Sequence, residues 1–219
     1  FVKSLYVAST HDHMLFFTDM GRVHHRKGYQ IPEAGRTARG TAMVNILPLE
    51  PGEAVTAMVV TREFDENEYL MMVTRKGTVK RIPFIALKTN RRTGIRAITL
   101  DENDHLINVI RTKGNDNIII ATANGMAICF NENDARPMGR DAVGVRGISL
   151  SEGDYVVGAE KAEEGKCLLT VTENGYGKLT EIDEYRVQSR GGKGIKAMNL
   201  TPKTGRLTCQ LLADEAEDI

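Results

Sequence analysis

Four short loops combine glycine with arginine or lysine, which are the residue types suited to holding phosphate groups. They are residues 35–40 (GRTARG), 90–94 (NRRTG), 139–144 (GRDAVG) and 188–194 (QSRGGKG). Lys and Arg release condensed counterions when they neutralise phosphates, and glycine lets backbone N–H groups approach phosphate oxygens closely. These loops therefore indicate contact with a phosphate backbone.

Two sets of basic residues are candidates for that contact. The first lies in or just after the glycine-basic loops: Arg36, Arg39, Arg91, Arg92, Arg96, Arg140, Arg146, Arg190, Lys193 and Lys196. The second follows the first, second and fourth hairpin turns: Arg22, Arg26, Lys27, Lys76, Lys80, Arg81 and Lys178. The chain has 29 basic and 29 acidic residues, so only spatial segregation of the charges would give it a surface for nucleic acid. Because Asp141 is almost the only acid in the loops, we expect a positive edge.

The loops recur with a regular period. Their closing glycines, Gly40, Gly94, Gly144 and Gly194, lie 54, 50 and 50 residues apart by subtraction of their numbers. A second set, Gly21, Gly77, Gly125 and Gly175, has spacings of 56, 48 and 50 residues. A period near 50 is typical of propellers and related all-β arrays, whose blades have four strands each.

Each repeat predicts four strands and almost no helix. An apolar strand (14–18, 69–74, 117–122, 166–172) ends at a glycine of the second set, and a return strand follows. The pairs Asn124-Gly125 and Asn174-Gly175 predict type I′ turns. A third strand (43–49, 95–100, 145–150, 195–200) follows each basic loop. A fourth (55–60, 106–110, 155–159, 207–212) follows a turn that is acidic in the first three repeats and reads TPKTG in the last. Single helical turns are expected at 131–136 and 183–186.

We interpret the 219 residues as a single β-pinwheel domain, because no change in composition marks a boundary. The predicted repeats are 1–53, 54–105, 106–154 and 155–205, with 206–219 the start of a further unit or a tail that is frayed from residue 214. The chain starts on Phe1 rather than Met, so we expect a fragment of a longer protein.

Other classes of function find little support in the sequence. Cys129, Cys167 and Cys209 are far apart in apolar segments, which favours buried reduced thiols over disulfides. The five histidines lack metal-ligand spacing, and no nucleophile elbow or P-loop is present, so we assign no metal and no catalytic residue. Aromatic residues make up 5% of the chain without regular spacing, and no recognition helix is predicted, which disfavours single-strand stacking and base readout. No apolar run is long enough to span a membrane.

One loop carries a specific resemblance to a known family. The box-like motif consists of Gln188, Ser189, Arg190, Gly191, Gly192, Lys193 and Gly194, after Glu184, Tyr185 and Arg186. It resembles the glycine-basic box of the DNA gyrase A C-terminal domain, in the gyrase and topoisomerase IV family. Residues 15–23 and 31–40 resemble the repeat that follows the box-bearing repeat in that family. The likeness extends over essentially the whole chain and favours gyrase.

The resemblance implies a six-bladed β-pinwheel whose rim wraps duplex DNA in a bacterial cytoplasm. It implies that DNA cleavage belongs to the N-terminal breakage-reunion domain and ATP hydrolysis to the ATPase subunit, with ATP and Mg used there and no cofactor in this domain. About four of six blades are present here. The box has Ser189 where the family has a basic residue, and it stands in the last repeat, so we expect the complete box before Phe1 in the parent chain.

Two alternatives remain open from the residues. One is the C-terminal domain of the topoisomerase IV subunit. The other is a propeller scaffold that binds proteins, with rim charges that serve solubility or acidic partners. Duplex affinity that falls steeply with salt would support wrapping, and its absence at low salt would support the scaffold.

Overall fold

The computed structural model describes residues 4–214, which form four antiparallel sheets. Its strands are β1 His13–Thr18, β2 Arg22–Lys27, β3 Val55–Thr61, β4 Tyr69–Thr74, β5 Thr78–Pro83, β6 Ile95–Arg96, β7 Leu106–Thr112, β8 Asn117–Thr122, β9 Met126–Asn131, β10 Val145–Arg146, β11 Val156–Ala162, β12 Cys167–Thr172, β13 Gly177–Glu181, β14 Ile195–Lys196 and β15 Leu207–Ala213. The predicted all-β fold with four strands in a blade is confirmed for the first three sheets. The fourth has three strands within the described residues.

Each sheet is built around a hairpin but takes its outer strands from further along the chain. The strand orders are β3-β1-β2-β6, β10-β5-β4-β7, β11-β8-β9-β14 and β13-β12-β15. The long strands β3, β7, β11 and β15 contact one another in that order, so they form the continuous inner side of the array. The short strands β6, β10 and β14 come from the basic loop of the next repeat and close the outer side.

These short strands are the main difference from the predicted third strands. Only two residues of each pair with a neighbour, as in Val23↔Ile95 and Ala127↔Ile195. The segment predicted as a strand at 43–49 contains the 3-10 turn Met43–Asn45 instead. Each short strand forms by pairing with the return strand of the repeat before it. Residues 43–49 belong to the first repeat, and the part of the chain that the structure describes has no earlier hairpin to supply that partner.

The hairpin turns also differ from the predicted type. Gly125 has φ +80°, and its N–H donates to the carbonyl of Thr122 at 3.0 Å. Asn124 does not have positive φ, because Asn103 is the only non-glycine residue with positive φ between residues 4 and 214. The loops are therefore three residues long with a left-handed glycine at the third position, rather than two-residue type I′ turns.

The core lies between neighbouring sheets, and central strands are buried on both faces. Leu70 and Met72 of β4 pack with Leu15 and Phe17 of the first sheet. The intervening residues of β4, Met71 and Val73, pack instead with the third sheet. Two buried faces explain why these strands read as continuous apolar runs without alternation.

The acidic turns at 101–104 and 151–154 each contribute one carboxylate that is almost inaccessible to solvent. Asp104 is 6% exposed, and its Oδ1 accepts hydrogen bonds from the N–H groups of Lys76 and His105. Asp154 accepts in the same way from the N–H groups of Asn124 and Tyr155. These residues cap the hairpin turns, so their placement after each third segment is structural.

Smaller predictions also have an outcome. The expected single turns are the 3-10 turns Glu132–Asp134 and Ile182–Glu184. All three cysteines are free thiols, and burial raises the pKa of Cys129 to about 11. Among residues 4–214, no helix has the length and apolarity needed to cross a membrane. The expected frayed tail lies almost wholly outside the described residues.

Candidate nucleic-acid interface

Three of the glycine-basic loops join into one hydrogen-bonded ridge, which we call the basic rim. Thr99, beyond the loop at 90–94, donates from its N–H and hydroxyl to the carbonyls of Ala142 and Asp141, at 3.2 and 2.9 Å. Ser149 makes the matching contacts with the last loop, donating to the carbonyls of Gly192 and Gly191 at 2.8 and 2.7 Å. Equivalent loops therefore lie side by side, as the repeat predicts.

Most of the predicted contact residues, on the rim and outside it, are at the surface. Exposed side chains belong to Arg36, Arg39, Arg91, Arg92, Arg96, Arg140, Arg146, Lys193, Lys196 and Lys76. The loop that contains Arg36 and Arg39 is not tied into the ridge by hydrogen bonds between residues 4 and 214. Those two residues are thus exposed but less firmly positioned than the rest.

Two predicted contact residues are half-buried and already engaged. Arg190 donates to the carbonyl of Asp134 at 3.0 Å and also to the carbonyl of Arg146, so its guanidinium ties its loop to the preceding repeat. Arg22 pairs with Glu53 at 3.3 Å and donates to the carbonyl of Thr93 at 2.6 Å. Both guanidinium groups therefore hold the loops in place, and each has donors already used within the protein.

Lys80 is a correction to the predicted set. Its side chain is fully buried, and its Nζ donates to the carbonyls of Ala97 and Arg140 at 2.7 and 2.6 Å. Burial lowers its pKa to about 8, partly offset by nearby Asp141. Lys80 cannot touch a phosphate directly, because it lies beneath the loop that presents Arg140.

The box-like motif is held in place by backbone bonds. Gly191 has φ +87° and donates its N–H to the carbonyl of Gly147 at 2.8 Å. The N–H of Gln188 donates to the carbonyl of Cys129 at 2.9 Å. Ser189 and Lys193 are exposed at the surface of the loop. The motif therefore has a defined conformation that presents Lys193 outward.

Sequence reasoning missed a cluster of histidines beside the rim. His13 and His25 stack with ring centroids 4.9 Å apart, and Lys27 contacts His13. The hairpin at Gly21 places His13 opposite Lys27 in the register of β1 and β2. The register of the hairpin follows from the position of its turn, so the sequence could have predicted that His13, His25 and Lys27 lie close together.

His24 takes the position on β2 that Lys80 takes on β5, but neither of its ring nitrogens has a hydrogen-bond partner. Burial, reinforced by Arg22, lowers its pKa below the ordinary value of 6.5. A histidine with a depressed folded-state pKa lets the unfolded chain bind more protons below pH 6.5, so stability falls as the pH falls through that range.

We expect His24→Leu to stabilise the chain by about 1 kcal/mol at neutral pH, because it removes unpaired buried polar atoms. The increase in the free energy of unfolding should be larger at pH 5, because the parent is destabilised there by protonation of His24 in the unfolded chain and the variant is not. Urea unfolding at pH 7.5, 6 and 5 measures both effects. His105→Leu, at an exposed site, is the control and should leave the pH dependence unchanged. Equal acid sensitivity of His24→Leu and the parent would contradict the assignment.

The fold and the rim together define a propeller-like β-pinwheel whose blades exchange outer strands and carry basic loops on one edge. A family model described as DNA gyrase C-terminal domain, beta-propeller, matches residues 12–62, 68–113, 116–163 and 168–208. The four matches cover most of the chain, so the chain belongs to the DNA gyrase C-terminal domain family.

Known relatives agree with this membership. The DNA gyrase A protein of Clostridium acetobutylicum is 48% identical over 143 residues, which are 65% of this chain and 17% of that protein. The DNA gyrase A protein of Haloquadratum walsbyi is 50% identical over 145 residues, 64% of this chain and 17% of that protein. The chain thus matches about a sixth of the length of these relatives.

Solved structures share the fold. The C-terminal domain of DNA topoisomerase IV superposes with a TM-score of 0.87 at 26% identity, covering 94% of this chain and 65% of that one. A DNA gyrase A C-terminal domain superposes with a TM-score of 0.77 at 24% identity, covering 95% of this chain and 68% of that one. The second likeness is evidence for the fold alone.

Proposed function

We propose that this chain is a non-catalytic domain of DNA gyrase A that binds duplex DNA along the basic rim and bends it. The observation that carries the proposal is the hydrogen-bonded ridge of three loops with exposed Arg and Lys side chains. Contacts from such a ridge position a backbone without reading bases. Contact energy along it offsets the cost of bending, a few kcal/mol for a short duplex.

The wider assembly follows from family membership as part of the same proposal. The domain wraps DNA to support ATP-dependent negative supercoiling in the bacterial cytoplasm. Cleavage belongs to the breakage-reunion domain of the same gyrase protein, and ATP hydrolysis belongs to a separate ATPase subunit. This domain needs no cofactor for backbone binding, because its own arginines and lysines supply the charge.

A topoisomerase IV subunit is the second candidate, favoured by the TM-score of 0.87 to the C-terminal domain of that enzyme. The sequence favours gyrase, since the matching family model is that of the DNA gyrase C-terminal domain and the gyrase A relatives are 48 to 50% identical over about 65% of this chain. The protein-binding scaffold has weaker support, because the exposed charge on the rim is nearly all of one sign.

The first test measures duplex affinity against salt by fluorescence anisotropy. Arg91→Ala with Arg92→Ala should weaken binding for all sequences alike and lower the slope of log K against log salt by about 1.8 for two lost phosphate contacts. The control pair is Lys113→Ala with Lys203→Ala, which removes the same charge from exposed sites outside the loops. Equal losses of duplex affinity in the two pairs would mean that net charge, and not the rim, determines binding. Absence of duplex binding at low salt would favour the protein-binding scaffold.

A further inference from the structure

A cavity of about 500 Å³ lies where the first hairpin meets the loop at 90–94. Its cationic and imidazole lining consists of His13, His25, Arg26, Lys27, Arg91 and Arg92. The remaining lining residues are Tyr29, Gln30 and Asn90, so no carboxylate faces the cavity among the residues that the structure describes. A space lined by cations and neutral donors, with no acid to neutralise them, suits an anion.

The imidazoles belong to a directed chain of hydrogen bonds. Lys27 Nζ lies 2.9 Å from His13 Nε2, and an ammonium group can only donate, so His13 Nε2 accepts. His13 therefore carries its proton on Nδ1 and donates it to His25 Nε2 at 2.7 Å. His25 in turn carries its proton on Nδ1 and donates it to the carbonyl of Thr89 at 3.0 Å. Every position in the chain is satisfied by neutral imidazoles.

This chain of hydrogen bonds fixes the backbone where the loop at 90–94 begins. Thr89 precedes the loop directly, and its Oγ1 accepts from the N–H of Arg91 at 3.1 Å. Arg26 donates to the carbonyl of Arg92 at 3.3 Å and so holds the loop from its other side. The guanidinium groups of Arg91 and Arg92 make no hydrogen bond to other groups within residues 4–214. The backbone of the loop is held while its two charges stay available.

Burial, together with the surrounding charges, lowers the pKa of both imidazoles and keeps them neutral near pH 7. Burial lowers the pKa of His13, with contributions from Lys27, His25 and Lys88 that Asp12 partly opposes. Burial also lowers the pKa of His25, with Lys27 and Arg26 adding to the effect and the bond to Thr89 opposing it. Phe64, edge-on to both rings, adds no charge. An anion in the cavity would favour the protonated rings, so binding couples to proton uptake.

We infer that this cavity is a phosphate site, formed by Arg91 and Arg92 on a loop held by the Lys27–His13–His25–Thr89 chain. The inference rests on the proposed function, because the natural occupant would be a backbone phosphate of bound duplex DNA. The same groups would take a free phosphate ion, so the experiment separates the two sources. Protonation of His25 at Nε2 would remove the acceptor for His13, so acid both adds charge and rearranges the chain.

The test titrates the 219-residue chain with inorganic phosphate and, separately, with sulfate, and follows imidazole and amide NMR signals. Sulfate keeps its charge between pH 7.5 and 6, so its affinity reports the protein alone. We expect saturable shifts of His13, His25 and loop 90–94, and sulfate affinity that rises severalfold from pH 7.5 to 6, within the limit of about tenfold per pH unit for one linked proton. No saturable shift with either ion would overturn the site for free anions.

Two variants localise the effect. Arg91→Ala with Arg92→Ala should weaken ion binding at least tenfold, and folding is not at risk because both side chains are exposed. His13→Phe with His25→Phe keeps rings beside Phe64 but removes both imidazoles, and it should abolish the pH dependence. The matched control, Lys113→Ala with Lys203→Ala, removes two charges from exposed sites outside the loops and should leave ion binding unchanged. A pH dependence that survives replacement of both imidazoles would overturn their role in anion binding.

Duplex DNA supplies the second arm and separates this inference from the proposed function. If DNA occupies the cavity, DNA and sulfate should compete, and duplex binding should shift the same imidazole signals. DNA binding with no shift of those signals would overturn the cavity as a backbone site while leaving the rim intact. Ion binding without any duplex binding would support an anion site and contradict the proposed function.

Discussion

Replacing Glu132 with alanine is expected to cost about 3–5 kcal/mol of the free energy of unfolding, because it leaves a buried arginine without its counter-ion. Both side chains are almost inaccessible, 0% exposed for Glu132 and 5% for Arg81, with Arg81 Nε 3.0 Å from Glu132 Oε2. The same carboxylate accepts from the hydroxyl of Thr112 at 2.6 Å and from the N–H groups of Gly114 and Asp116 at 2.8 Å. The free energy of unfolding of a typical domain is only about 5–15 kcal/mol, so this loss would bring the chain close to unfolding.

Urea unfolding followed by circular dichroism measures the loss, with exposed Glu164→Ala as the control of equal charge, expected within about 0.5 kcal/mol of the parent. Glu132→Gln keeps one carbonyl oxygen that can accept from both N–H groups but leaves the charge of Arg81 without a counter-ion. Adding Arg81→Met removes that charge. If Arg81→Met fails to recover stability in the Glu132→Gln background, the unpaired charge is not the cause of the loss.

Gly194→Ala is expected to destabilise the chain far more than Gly40→Ala, although the two glycines close equivalent loops with nearly the same φ, +75° and +77°. A left-handed conformation costs alanine about 1–2 kcal/mol at either site. At Gly194 a Cβ would also lie 2.2 Å from the carbonyl oxygen of Ala127, whereas at Gly40 it would meet nothing within 4 Å. Overpacking against backbone adds about 1–3 kcal/mol.

The pair is self-controlled, because the common backbone term cancels in the difference between the two unfolding free energies. Amide hydrogen exchange gives a second measurement. Gly194→Ala should speed exchange in β9, whose residues Met126 and Ala127 pair with β14, while Gly40→Ala should not. Equal unfolding free energies for the two variants would mean that the backbone around Ala127 shifts to accommodate the added Cβ without loss of stability.

The repeat period and the glycine corners were sufficient to predict the hairpins, the all-β class and the side-by-side placement of three of the four basic loops. They could not predict that a loop strand belongs to the sheet before it, because two paired residues such as Ile95 and Arg96 carry no hydrophobic pattern of their own. The partner of such a strand is set by how the next repeat packs.

The burial of Lys80 was equally inaccessible from sequence. The segment Thr78–Pro83 reads as a basic return strand, and the carbonyls that satisfy the ammonium group come from Ala97 and Arg140, 17 and 60 residues further on. The misassigned turn type has a local cause, since Asn-Gly also suits the three-residue loop that the structure contains.

Strand exchange between repeats has a consequence for synthesis on the ribosome. β2 ends at Lys27 but its outer partner begins at Ile95, 68 residues later (95−27), and the corresponding gap from β9 to β14 is 64 residues (195−131). At about 5–20 residues per second, each hairpin emerges several seconds before the strand that covers its edge. During that interval the nascent chain presents an open edge able to pair with a neighbouring chain on the same messenger. The pace of translation through these 64 to 68 residues therefore sets how long the edge of each hairpin remains open to mispairing.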